Sequence, residues 1–244
     1  MKWLATALIA TLLTGCASAL RWDSDAPEGH YRVRSGDTLY SIALRHDLDY
    51  RRLAHWNNIG SNYLIRPGQV LRLSPPPGAG GQTQVARAPP ASSGPPTRSP
   101  PASNNSSRSR PSAPSESNLP AFDQRWQWPL RGEVTRRFAP PDSKGINIGA
   151  QQGTEVRAAA SGRVVYSGSA LKGYGELIII KHDDTYLSAY GYNSRRHAQE
   201  GDTVKAGQVI AEVGMGPARR SLLHFEIRKA GRPVDPLRLL PRSE

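Results

Sequence analysis

The sequence predicts a multidomain protein. Its parts are a small α+β unit of βααβ order, a disordered linker, and an all-β antiparallel domain of sandwich or barrel type. Three observations predict this. Residues 30–73 read as a strand, two short helical patterns and a closing alternating strand. Residues 74–121 hold 27 Pro, Ser or Gly among 48 positions and show no period, a composition too poor in apolar surface to offset the chain entropy of folding. From Phe122 onward, short β-branched runs separated by glycines follow one another, as in 162–166 and 207–213, with little helical periodicity.

Composition narrows the partners. With 32 Lys/Arg against 20 Asp/Glu the net charge is +12, which favours acidic surfaces such as an anionic membrane or a cell-wall polymer. The basic residues are spread over every segment and no nucleic-acid motif appears, so nucleic acid is not an expected partner. The single cysteine, Cys16, excludes an internal disulfide. No run reaches the roughly 18 apolar residues that a membrane-spanning helix needs.

Residues 1–16 read as a targeting segment, with Lys2 as the positive start and Trp3 to Leu13 as a short apolar core. Leu13-Thr14-Gly15-Cys16 resembles the bacterial lipobox, which implies lipidation of Cys16 and anchoring to a membrane by acyl chains alone. Ala17 follows, not the Asp that commonly retains such lipoproteins in the inner membrane, and this implies outer-membrane sorting with the protein facing the periplasm.

In residues 30–73 the first strand ends at Gly36, and Asp37 or Thr38 caps the helix that runs from Leu39 to about His46. A second helix, about Tyr50 to Asn57, buries Leu53 and Ala54, and Pro67-Gly68 turns the chain into the last strand. Gly36-Asp37-Thr38-Leu39, Ser41-Ile42-Ala43, Asn57 and Pro67-Gly68-Gln69 together resemble a LysM module. The resemblance implies binding of N-acetylglucosamine-containing glycan such as peptidoglycan, with Gly36, Asp37, Thr38, Ile65 and Pro67 in the groove. For Asp37 and Thr38, helix capping is the plainer role, and the two roles can coexist. The linker 74–121 would reach about 40 Å as a flexible coil, so the chain reads as anchor, wall-binding module, tether and effector domain.

Residues 122–244 contain Ser143-Lys144-Gly145-Ile146-Asn147 and Leu222-Leu223-His224. These pieces resemble the His-x-Gly-x-Asp and His-x-His motifs of lysostaphin-type (LytM) zinc endopeptidases. The resemblance puts Ser143, Asn147 and His224 at the three metal-ligand positions and Tyr192 and Leu222 at the two catalytic-histidine positions. A serine hydroxyl and a neutral amide are poor zinc ligands, and leucine is none. Without a metal no bound water is acidified, and without imidazole there is no general base at neutral pH. No metal, no cofactor and no catalytic residue is therefore expected. His224 reads as a strand histidine hydrogen-bonded in a pocket, with ligation as the alternative. His182 reads as a strand-end residue and His197 as part of an exposed loop, neither at ligand spacing to His224. Arg219-Arg220 either line the groove or are solvated.

A degenerate LytM domain on a LysM lipoprotein resembles the NlpD-like murein hydrolase activators. That implies a periplasmic N-acetylmuramoyl-L-alanine amidase as partner in cell division or envelope maintenance, with the former peptidase groove as its contact surface. Two alternatives stay open: a zinc endopeptidase with unusual ligands, and a passive tether between wall and membrane.

Overall fold

The computed structural model describes residues 26–77, 123 and 125–242. The expectations for Cys16 and the targeting segment fall outside the described residues, as does nearly all of the linker.

The first unit has the expected βααβ order: β1 (His30–Arg32), α1 (Leu39–Arg45), α2 (Tyr50–Trp56) and β2 (Val70–Arg72). β1 and β2 pair antiparallel. Thr38, not Asp37, caps α1: its hydroxyl accepts from the Ser41 amide while the Ser41 hydroxyl accepts from the Thr38 amide, a reciprocal arrangement that satisfies two otherwise orphaned donors. Asp37 turns inward instead. Its carboxylate accepts from the Tyr31 hydroxyl at 2.7 Å and the Arg34 amide at 2.9 Å. Asp49 caps α2 through the amides of Arg51 and Arg52. Asn57 then ties α2 to β2, bonding both ways with the Arg72 backbone.

The second unit is all-antiparallel. Its strands are β3 (Glu133–Arg136), β4 (Ile146–Gly149), β5 (Glu155–Arg157), β6 (Gly162–Gly168), β7 (Glu176–Lys181), β8 (Tyr186–Arg196), β9 (Thr203–Val204), β10 (Val209–Met215), β11 (Ser221–Lys229) and β12 (Arg232–Val234). They form one hydrogen-bonded sheet of ten strands in the order β3-β4-β11-β10-β8-β7-β6-β9, with β12 on β11 and β5 on β10. β8 has two partners on one edge. Its first half pairs with β11 up to Gly191, and its second half pairs with β10 from Asn193. Tyr192 stands at the change of partner with φ 61°, a left-handed conformation uncommon for a residue other than glycine.

β7 explains how the two units meet. Leu177, Ile178, Ile179 and Ile180 are all fully buried, and on a strand such a continuous run means that both faces are covered. Ile178 and Ile180 join the core of the sheet with Ile146, Ile148, Leu223 and Phe225. Leu177 and Ile179 point the other way, into a second core with Val165, Leu187 and the first unit's Leu39, Tyr40, Tyr50 and Leu53. The two units thus share a core, which the reading of module, tether and effector domain did not anticipate. Polar contacts rim it. Tyr50 donates to Asp184, and Lys144 and Arg228 both reach Asp47, at 2.7 and 2.9 Å. The β11–β12 turn comes so near that a Cβ on Gly231 (φ +79°) would lie 2.4 Å from the Asp49 nitrogen.

Candidate functional site

The cleft of the sheet is built where β4 and β11 run side by side. Their register sets Asn147 opposite His224, and the ring Nδ1 lies 2.7 Å from Asn147 Oδ1. Alternation along β11 puts His224, Glu226 and Arg228 on one face, and they are bonded in series. His224 Nε2 is 3.1 Å from Glu226 Oε1, and Arg228 Nε donates to Glu226 Oε2 at 2.8 Å. Tyr174 also donates to Glu226 Oε1, at 2.8 Å. Arg228 Nη1 then reaches Asp47 of the first unit. A row of hydrogen bonds thus runs from the cleft floor to the docked unit.

Electrostatics follow from this burial. Glu226 is fully buried, which by itself disfavours the carboxylate. The His224 hydrogen bond, the Arg228 and His224 charges and the Tyr174 hydroxyl outweigh that and hold its pKa at about 2. Burial and the neighbouring Glu226 push the Tyr174 phenol well above its ordinary value. His182 lies elsewhere, in the core, bonded to the Ser161 carbonyl and the Ser188 hydroxyl. Desolvation pulls its pKa down to about 4, so it is neutral at pH 7. His197 pairs with Glu212 on the surface.

The structure brings Ser143, Asn147, Tyr192 and His224 together in a cleft of about 250 Å³. Leu222 is a correction. It is not among the lining residues, because the Gly216 turn lies directly on it, and a Cβ at Gly216 would come within 3.0 Å of its side chain. Arg219 and Arg220 are exposed and do not line the cleft either. Arg136, Lys144, Tyr174 and Glu226 do line it. In the sequence Tyr174 stands between two glycines that read as a turn beside the groove, Lys144 lies within the 143–147 motif, and Glu226 is two residues from His224 and so on its face; Arg136 left no signal.

The donors present do not fit a zinc ion. Both nitrogens of His224 are already engaged, by Asn147 and Glu226, whereas a ligating imidazole must turn one free lone pair to the metal. The Ser143 hydroxyl, buried, donates to the Gly145 carbonyl at 2.9 Å. Among the described residues no group of three or more His, Cys, Asp or Glu could hold a metal.

A second cleft lies between the units. Asp37, Thr38 and Ile65 line it, and Gly36 and Pro67 are not among its lining residues. Gly36 has φ +80° and serves the turn before α1.

Comparison with known proteins assigns both units. Residues 31–74 match the LysM domain and residues 141–236 match Peptidase family M23. The chain is 46% identical to the lipoprotein NlpD/LppB homolog of Pseudomonas aeruginosa over 93% of this chain and 82% of that one. The chain belongs to the NlpD/LppB lipoprotein family. It is also 38% identical to the uncharacterized lipoprotein YgeR of Escherichia coli, over 96% of this chain and 90% of that one. With the murein hydrolase activator NlpD of Escherichia coli it shares 37% identity, over 87% of this chain and 68% of that one. The NlpD/LppB assignment agrees with the two resemblances read from the sequence and with the βααβ and all-β units seen here. It also places the Asn147–His224–Glu226 series inside an M23 domain.

Proposed function

We propose that this protein is an outer-membrane lipoprotein, anchored through Cys16, that binds peptidoglycan and activates a periplasmic N-acetylmuramoyl-L-alanine amidase without cutting the wall itself. The observation that carries this reading is the internal bonding of the former metal position: His224 is closed off by Asn147 and Glu226 while the cleft above it stays open. The name of the Escherichia coli relative supports it. An open cleft with aromatic and basic walls, here Tyr174, Tyr192, Arg136 and Lys144, suits a protein segment better than chemistry. Activation then follows from differential affinity: the cleft binds the amidase's open state more tightly than its blocked state. On the other unit, Thr38 and Ile65 contact the wall glycan.

The test uses the full chain in detergent with amidases of its own organism. Dye release from labelled peptidoglycan is expected only when both proteins are present, with far less than one zinc per chain. Tyr192→Gly keeps the left-handed backbone that φ 61° requires and removes the aromatic anchor. Activation by this variant should fall about ten-fold or more. Wall cleavage by the chain alone together with stoichiometric zinc would overturn the proposal. So would a folded wild-type chain that activates none of those amidases.

A further inference from the structure

The cleft between the units is not a property of either one. Its volume is about 290 Å³, near the lower end for small-ligand sites, about 300–1,000 Å³. The LysM side offers Thr38, Tyr63, Leu64 and Ile65, and the sheet offers Arg163 from β6 and Glu200 beyond β8. Leu64 is 66% exposed at this cleft, a large apolar side chain left where a sugar ring can cover it. Lys181, at the base, is already committed: it pairs with Asp184 at 3.1 Å and lies 5.7 Å from the centre of the Tyr63 ring. Arg163 is different. It is half-buried, and its guanidinium makes no hydrogen bond or ion pair with another described residue. A planar guanidinium with its donors unspent matches a carboxylate in two-pronged fashion.

We propose that this cleft is one composite site for an acidic N-acetylated glycan, in which the LysM wall holds the sugar and Arg163 of the M23 domain takes a carboxylate. The inference rests on the reading of the LysM module as a glycan binder, and it names which glycan. Bacterial wall glycan carries a lactyl group on alternate sugars, with a free carboxylate or an acidic peptide attached. A neutral N-acetylglucosamine polymer has neither. Arg163 therefore distinguishes the two, since the first unit's lining residues include no cation. Because the ligand touches both units, its binding also favours their docked arrangement over an undocked one.

Titration calorimetry on the full chain in detergent tests this with two probes: a four-sugar wall fragment bearing free carboxylates, and the neutral N-acetylglucosamine tetramer. Wild type should bind the acidic probe more tightly, with the difference shrinking as salt rises. Arg163→Ala should weaken the acidic probe about ten-fold and the neutral one less than about two-fold. Arg163→Lys should recover part of the loss, since lysine keeps the charge without the fork. The exposed Arg131, changed to Ala, serves as the control and should change neither. Circular dichroism and melting verify that each variant is folded. Equal affinity of wild type for both probes, or an Arg163→Ala chain that binds the acidic probe as well as wild type, overturns the composite site while the LysM reading stands. A folded wild type that binds neither probe overturns both.

Discussion

Replacing Glu226 by alanine should be among the most damaging single changes in the sheet. Its carboxylate is fully buried and accepts from Tyr174, His224 and Arg228 at 2.8 to 3.1 Å. Arg228 is equally buried, and its Nη2 has no hydrogen-bond partner among the described residues. Removing Glu226 leaves that guanidinium with Asp47, a half-exposed residue of the other unit, as its ion-pair partner. Breaking a buried pair from one side costs about 3–5 kcal/mol, whereas replacing both members by apolar groups is close to neutral. The depressed pKa gives a similar size: a drop from 4.5 to about 2 corresponds to about 3 kcal/mol. For a unit of this size the change lowers Tm by about 6–20 °C. Because the folded-state value lies below the unfolded one, this stability is present above about pH 4.5 and lost as pH falls toward 2. Thermal unfolding of Glu226→Ala, Arg228→Met and the Glu226→Leu/Arg228→Met double variant forms the assay. The double variant should be more stable than either single one. Additive losses, or a Glu226→Ala chain within about 1 kcal/mol of wild type, would refute the buried network as described.

Other predictions bear on different parts of the molecule. His182, neutral in the fold with its pKa at about 4 against 6.5, charges in the unfolded chain first. Stability should therefore rise by about 3 kcal/mol between pH 4 and 6.5, and His182→Gln should flatten the unfolding profile in that window. Gly231→Val puts a side chain into the Asp49 backbone. Amide exchange across α1 and α2 should speed up at least about ten-fold, and unchanged exchange would show that the units do not dock through this turn. Cys16→Ala should abolish incorporation of a labelled fatty acid, since the chain has no other cysteine; label persisting on the variant would remove the lipid anchor from the proposal.

Much of the local structure was legible because local rules decide it. Helix α1 begins where a Thr with a partner three residues on can close both orphaned donors, and glycine-punctuated β-branched runs became the strands of an antiparallel sheet. The identities of Ser143, Asn147 and Tyr192 were also legible, since residue types are read before any fold exists. Their bonding was not. That Asn147 meets His224 depends on pairing between strands 77 residues apart, and that Leu222 is roofed over depends on where the Gly216 turn settles.

The sequence by itself determined the two domain types and the family, because each is carried by residue identity at short spacing. Only the tertiary structure decided that the LysM module sits on the sheet. The run Leu177 to Ile180 announces that both faces of a strand are covered, but alternation says which residues share a face and never what lies against it. The same holds for Asp47 and Arg228, 181 positions apart. The guanidinium of Arg228 is charged and buried, so it takes whatever carboxylates the packing of the two units brings within reach.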